Sequence, residues 1–260
     1  MASKVDYKNN MSQAEVIRNA LAKVESLRQA EHASPRLGTM VRGLKSLQSK
    51  RFKGTYADLA ADPRFGPATQ FFLEELYGDK DFANRDAQFF KIAGALQRTL
   101  PRQAIETALM LAELHALSED LDHAMAAVLL DFSTNNHAAI IAVSAYVRAW
   151  RLVGRREDRM KQLNMVLTLG RDLVRLTKTR GLRLILTMMH APANAAGFGA
   201  LQHFLEAGFD TFATMNAHAT RAGEFLSTIE RRESELIRLL FDDELIGCQA
   251  ELSRQLANQA

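Results

Sequence analysis

The chain has 260 residues, of which 47% are hydrophobic and 24% charged, with 33 Lys and Arg against 30 Asp and Glu. This composition excludes a disordered, collagen-like or linker-dominated chain, and the length is ample for a sizeable core. The one cysteine, Cys248, excludes an intrachain disulfide and any zinc or iron–sulfur site built on cysteine pairs. We expect this thiol in a weakly structured acidic tail, and a free thiol is typical of a reducing compartment. The polar segment 1–10 does not resemble a secretory signal, and the apolar run at 138–147 is shorter than the about 20 residues of a membrane crossing. A cytoplasmic protein without a transmembrane segment is therefore expected.

Basic residues are distributed unevenly along the chain. Residues 32–57 carry six basic residues and no acidic one, and residues 148–183 carry eleven basic and three acidic residues, a net charge of +8. Within the second segment, Arg171, Arg175 and Lys178 follow one helix face and form a candidate anion-facing stripe. Such a stripe can attract nucleic acid or an anionic membrane surface. Charge runs more often cover solvated helix faces that lie against acidic neighbours, and this interpretation is preferred.

Apolar residues recur every three to four positions along almost the whole chain, which predicts helices, and no alternating strand pattern occurs. A capping box over Ser12–Glu15 predicts the start of the first helix, and Pro35 predicts the first turn of a second, which the apolar positions extend to Leu59. The other predicted helices are a short one at 67–77, one capped by Asp81, a long one from Pro101, one at 137–153 that is apolar on nearly all sides, one through 160–174, one after a break at 192–199 and one at 224–241.

These elements predict an all-α fold, a bundle of about eight to ten helices without a significant β-sheet. We expect residues 1–260 to form a single helical domain. It can be subdivided into N-terminal helices at 12–98 and a C-terminal bundle at 101–243, followed by a weakly ordered or helical tail at 244–260. The lack of strands argues against Rossmann, P-loop and hydrolase folds, because each places its motif at the end of a strand.

The most distinctive stretch is the heptapeptide FFLEELY at 71–77, which is followed by DKDFANRD at 79–86. With these two segments the chain resembles a bacterial family of unknown function that is named for its FFLEELY motif. The resemblance covers about residues 51–241. It implies a bacterial helical protein, and it implies no activity, cofactor or site residue.

The FFLEELY segment has two physical interpretations. Aromatic residues at helical spacing are typical of a core, so the segment can be a buried helix corner, with Asp81, Arg85 and Asp86 supplying a cap and an ion pair. Alternatively, it can be a docking surface or the lip of a pocket that faces a ligand. The candidate interaction or pocket residues are Phe71, Phe72, Glu75, Tyr77, Asp79, Asp81, Arg85 and Asp86.

No catalytic residue, metal site or cofactor is predicted. The chain has no nucleophile elbow and no Glu-x-x-His motif of a di-iron bundle. His115, Glu119 and Asp122 share one helix face, but that face lies away from the apolar stripe, so we expect it to be solvated. His190 and His203 are the least implausible haem ligands, and a core or boundary role is preferred for both.

Two functional hypotheses remain. The preferred one is a non-enzymatic protein–protein interaction or regulatory module with a protein partner or self-association, because many amphipathic helices occur without a recognisable catalytic set. The alternative is a helical bundle, with or without enzymatic activity, that binds an apolar or tetrapyrrole-like small molecule. It rests on the apolar segment 137–153 and on ten methionines, which can adapt to a ligand.

Overall fold

A computed structural model describes residues 11–76, 82–99, 101–132, 141–216 and 220–258. Within these ranges the chain forms twelve α-helices and one π-helical turn, and no β-strand. The all-α prediction is confirmed, whereas the predicted eight to ten helices are too few. Helices of five or six residues account for part of the difference, because they are too short to show a clear hydrophobic period.

The helices are numbered here in chain order. They are α1 (Gln13–Ala33), α2 (Pro35–Thr55), α3 (Ala57–Ala61), α4 (Gly66–Phe71), the π-helical turn (Phe72–Leu76), α5 (Ala83–Thr99), α6 (Arg102–Phe132), α7 (Val143–Val153), α8 (Arg156–Leu176), α9 (Leu182–Ala195), α10 (Gly199–Asn216), α11 (Arg221–Asp242) and α12 (Leu245–Ala257).

The predicted starts of the first two helices are confirmed. The Ser12 backbone N–H donates to the Glu15 carboxylate at 2.7 Å, and the Ser12 hydroxyl accepts the Glu15 N–H, so the capping box is complete. Pro35 opens α2, whose preceding residue Ser34 accepts the Leu37 N–H. The predicted extension of α2 to Leu59 is wrong. The helix stops before Tyr56, whose hydroxyl donates to Glu233 on α11 at 2.7 Å, a tertiary contact that local periodicity does not reveal.

Two further boundaries differ from the prediction. Pro192 does not interrupt α9 but lies inside its last turn, where the surrounding residues are mostly exposed and one helical hydrogen bond is missing. The helix predicted at 137–153 begins only at Val143, and residues 133–140 lie outside the described part of the chain. This helix is not buried on all sides, because the Leu152 side chain is 65% exposed.

The 31-residue helix α6 lies at the centre of the fold and packs against α1, α2, α5, α7 and α8. On the other side of α8 lie α10 and α11, and α10 also covers α4 and α5. The C-terminal α12 packs on α2 and α7, which fully buries Cys248. The expected weakly structured setting of this thiol is therefore wrong.

A helix that crosses a bilayer needs about 20 predominantly apolar residues. Among the described residues, none of the helices combines the length and the apolar character that such a crossing requires.

Candidate functional site

A polar cavity of about 110 Å³ lies between α2, the π-helical turn, α5, α6, α7, α8 and α11. Helix α6 lines it with one face, which includes His115, Glu119 and Asp122. Glu119 is only 7% exposed and Asp122 only 8%, so the expected solvated face is wrong. The reason is tertiary: α2 and α8 cover this polar stripe with polar side chains of their own. The ionisable side chains around the cavity are Lys45, Arg51, Glu75, Arg85, His115, Glu119, Asp122, Tyr146, Arg159 and Glu233.

Two ion pairs neutralise part of this charge. The Lys45 ammonium donates to both carboxylate oxygens of Glu119 at 2.7 Å, and the Arg51 guanidinium donates to Glu233 at 2.6 Å. Burial lowers the pKa of Lys45, but the negative charges of Glu119 and Asp122 outweigh burial and raise it above its ordinary value. Lys45 thus remains charged. These pairs agree with the expectation that basic segment 32–57 lies against acidic helices.

Arg159 on α8 lacks such a partner. Its side chain is 7% exposed, and within the described part of the chain its guanidinium donates only to the Gln162 amide oxygen, at 3.2 Å. The guanidinium carbon lies 4.2 Å from the centre of the Trp150 ring. Burial lowers the pKa of Arg159, because it removes water and the charge of Asp122 compensates only in part. The cavity therefore contains one buried cation without a carboxylate bonded to it.

Three hydrogen-bond donors at this end of the cavity have no acceptor among the described residues. They are Arg51 Nε, Arg159 Nη2 and the indole Nε1 of Trp150. All three side chains line the cavity, and Tyr146 lies among them, with its ring centre 5.9 Å from that of Trp150. A buried donor without a partner costs about 1–3 kcal/mol. These atoms thus indicate that an acceptor, either a ligand or water, belongs in the cavity.

Asp122 is the carboxyl group whose charge has the largest effect on the pKa of Arg159. The ionised form of Asp122 is itself disfavoured. Burial raises the pKa of Asp122 above its ordinary value, and the charge of Glu119 adds to this, while Arg159 and Lys45 lower it less. The Gln48 amide donates to Asp122 Oδ1 at 3.1 Å. Asp122 therefore keeps its proton to a higher pH than an ordinary carboxyl group does.

A second charged network, centred on Asp86, lies behind the part of the cavity wall that Arg85 and His115 form. The buried carboxylate of Asp86 accepts Arg28 Nη2 at 2.5 Å, His115 Nε2 at 2.8 Å and Arg85 Nη2 at 3.3 Å. Burial raises the pKa of Asp86, but the bonds and charges of His115, Arg85 and Arg28 together outweigh burial and bring it below the ordinary range. Arg85 also donates to the Glu75 carbonyl oxygen at 3.0 Å. The network therefore ties α1, α5 and α6 together and positions Arg85 and His115 at the cavity wall.

The residues of the FFLEELY segment lie in two environments. Phe71 and Phe72 are buried in an aromatic cluster with Phe204, Phe212 and Phe225. Glu75 lines the polar cavity together with Arg85, and Asp86 lies behind them. The candidates Tyr77, Asp79 and Asp81 lie outside the described residues.

Gly208 on α10 lies against the same aromatic cluster. A Cβ atom at Gly208 would lie 3.1 Å from the Phe71 ring. Glycine thus lets the Phe71 ring pack directly on α10.

The other sequence candidates lie on the surface. Arg171, Arg175 and Lys178 are exposed at the end of α8. Arg171 donates to the Thr168 hydroxyl and Arg175 to Asp172. His190 is 60% exposed at its side chain and bonded to Glu206, and His203 is also exposed, so neither has the apolar setting that a haem interpretation needs.

Across the described ranges, no three or more His, Cys, Asp or Glu side chains are placed to hold a metal ion. An apolar cavity of about 100 Å³ lies beneath α9, with Leu111, Leu169 and Phe204 in its wall. It is well below the about 300–1,000 Å³ of typical sites for drug-sized ligands, so it is too small for a tetrapyrrole-like molecule.

The chain matches the model of a protein family. The model of the family described as Domain of unknown function (DUF8198) matches residues 27–245. The chain belongs to this family. The family description assigns no activity, which agrees with the expected membership in a family of unknown function. That this family is the one named for the FFLEELY motif stays a prediction. No curated protein matches the chain, and no solved structure matches it.

Sequence reasoning did not identify Arg51, Trp150 or Arg159 as site residues of this DUF8198 chain. A signal for Arg159 is present, because it stands four residues before the buried Leu163 and so falls in the apolar register of α8. A charged residue in a buried register is unusual and needs a partner.

Proposed function

We propose that this protein binds a small molecule with an oxyanion group, a carboxylate or a phosphate, in the polar cavity. The observation that carries the proposal is the set of three buried donors without an acceptor, Arg51 Nε, Arg159 Nη2 and Trp150 Nε1.

The chemistry of these donors favours an anion. Guanidinium and indole groups donate hydrogen bonds and accept none, so only an acceptor can satisfy them. Arg159 adds a positive charge without a bonded carboxylate, and arginine matches carboxylate and phosphate oxygens well. Glu119 and Glu233 already accept hydrogen bonds from Lys45 and Arg51, so the negative charge of these two carboxylates is compensated before an anion enters. A cavity of about 110 Å³ accommodates a carboxylate or a phosphate group.

Arg159→Gln is the direct test. We expect the Kd of the wild-type protein for acetate or inorganic phosphate to rise about 10- to 100-fold in this variant, because a hydrogen bond to a charged group is worth about 1.5–3 kcal/mol. Isothermal titration calorimetry in a buffer free of oxyanions measures both proteins. The variant should be at least as stable as wild type without ligand, since it removes a buried charge that lacks a bonded partner.

Arg171→Gln on the exposed face of the same helix is the matched control and should bind like wild type. If wild-type protein binds neither anion, water satisfies the three donors and the proposal is wrong. Equal affinity of wild type and Arg159→Gln would also contradict it.

The affinity for the anion is expected to increase as the pH falls through the raised pKa of Asp122. The ionised carboxylate repels an anion in the same cavity, whereas the protonated form does not. The groups that face Asp122 are Arg159 from α8, Lys45 and Gln48 from α2, Tyr146 from α7 and Glu119 from α6. Asp122→Asn should remove this pH dependence. Asp120→Asn, which breaks pairs with Lys23 and Arg155 outside the cavity, should retain it. Affinity that does not vary with pH in the wild type would contradict the role of Asp122.

Protein–protein interaction, predicted from the sequence, is the second candidate function. It is favoured by three exposed apolar side chains on α9, a helix that packs mainly on α10. Leu184 and Met188 share one face of α9, and Met189 lies beside that face. Light scattering of the purified protein would detect self-association through this face.

A further inference from the structure

We infer that the ligand of the polar cavity is amphipathic, an oxyanion with a short apolar tail that enters a second cavity next to the first. This inference rests on the proposed function and deepens it, since it names the class of molecule that carries the anionic group.

The second cavity, the tail cavity, has a volume of about 40 Å³ and lies between α2, α4, the π-helical turn, α8 and α11. Most of its wall is apolar. The apolar side chains that line it are Phe52, Phe72, Leu73, Leu163, Val166, Phe225 and Ile229.

The polar atoms of the tail cavity are already engaged in hydrogen bonds. The Thr69 hydroxyl donates to the Phe65 carbonyl oxygen at 3.0 Å, and the Tyr56 hydroxyl donates to Glu233. A bound water needs two to four polar partners, so this space favours an apolar occupant.

The two cavities share part of their walls. Phe52, Leu163 and Glu233 line both of them. Arg51, which carries one of the donors without an acceptor, lies with its guanidinium carbon 3.7 Å from the centre of the Phe52 ring. The donor end of the polar cavity is thus adjacent to the tail cavity. A ligand with its anionic group at Arg51 and Arg159 therefore has an apolar space within reach of a short substituent.

The same geometry assigns a role to Phe72 of the FFLEELY segment. Its ring lies 5.6 Å from that of Phe225, centre to centre, and both rings line the tail cavity. Phe72 thus limits the length of the apolar tail that the ligand can carry, and it also contributes to the hydrophobic core.

The test is a series of unbranched carboxylates from acetate to octanoate, with butyl phosphate beside inorganic phosphate. We expect the affinity of wild-type protein to increase about fourfold for each added methylene over the first few carbons, as apolar surface leaves water. It should then stop increasing once the tail cavity is full. The butyl phosphate arm distinguishes a carboxylate head from a phosphate head.

Two variants change the tail cavity in opposite directions. Val166→Leu fills it and should shift the optimum to a shorter chain, whereas Phe72→Leu enlarges it and should shift the optimum to a longer chain. Acetate binding should be unaffected by both. Val174→Leu, on the same helix but outside the walls of the cavities described above, is the matched control and should keep the wild-type optimum.

The outcomes separate the two proposals. If acetate and phosphate bind but longer chains gain nothing, or if neither variant moves the optimum, the inference is wrong and oxyanion binding stands. If no member of either series binds wild-type protein, both are wrong. A failure of Phe72→Leu to fold leaves Val166→Leu as the deciding variant.

Discussion

Gly54→Ala is expected to detach the C-terminal helix α12 and to make the Cys248 thiol reactive. A Cβ atom at Gly54 would lie 1.7 Å from the Gln255 carbonyl oxygen. Because the atom met is backbone, no rotamer change relieves the overlap, and overpacking of this kind costs about 3 kcal/mol or more. The same contact includes a hydrogen bond from Asn258 to the Gly54 carbonyl and one from Thr55 to Gln255.

Labelling of the thiol measures this effect, since Cys248 is the only cysteine, lies on α12 and is fully buried where α12 packs on the fold. A loss of about 3 kcal/mol raises the population of the open state, and with it the labelling rate, by about two orders of magnitude. Gly247→Ala within α12 is the control. Nothing lies within 4 Å of a Cβ atom there, so alanine should leave labelling slow and stabilise the helix by about 1 kcal/mol. Slow labelling of Gly54→Ala would contradict the described packing of α12.

Asp86→Asn is expected to lower the free energy of unfolding by about 3–5 kcal/mol, because it removes one partner from a buried ion network. Asp86 is 5% exposed and receives hydrogen bonds from Arg28, Arg85 and His115 on three different helices. Loss of its charge leaves the two partly buried guanidinium groups of Arg28 and Arg85 without their carboxylate. Urea unfolding at neutral pH measures the difference from wild type.

The stabilisation by Asp86 is expected to depend on pH. The pKa of Asp86 is lower in the folded than in the unfolded protein, so its contribution is complete above the unfolded pKa of about 4 and is lost as the pH falls below it. The gap between wild type and Asp86→Asn should therefore narrow in acid. Asp62→Asn, whose pair with Arg64 is exposed, should leave stability nearly unchanged. An equally small effect at both positions would show that the Asp86 network does not stabilise the fold.

The sequence predicted those features that depend on neighbours along the chain. The all-α class, the capping box at Ser12 and the start of α2 at Pro35 all follow from hydrogen bonds and dihedral angles within one helical turn. The buried aromatic role of Phe71 and Phe72 was also predicted as one interpretation, because apolar spacing reports which face of a helix is buried.

The site was harder to predict, because it depends on which polar faces meet. His115, Glu119 and Asp122 have the spacing of a solvated stripe on α6, and nothing in their own helix shows that α2 and α8 cover them. Arg159 and Asp122 are 37 positions apart, and Arg51 and Glu233 are bonded across more than 180 positions. Periodicity indicates how a helix is oriented but not which helix lies opposite.

The amino-acid sequence by itself determined that this chain folds into helices with buried apolar faces, since backbone hydrogen bonds and hydrophobic spacing act locally. Only the tertiary structure decided that charged side chains from five α-helices and the π-helical turn enclose a cavity. It also decided that three buried donors in the wall, on Arg51, Arg159 and Trp150, lack an acceptor among the described residues. The physical reason is that the cost of burying a charge depends on its partners in space, which a single helix does not specify.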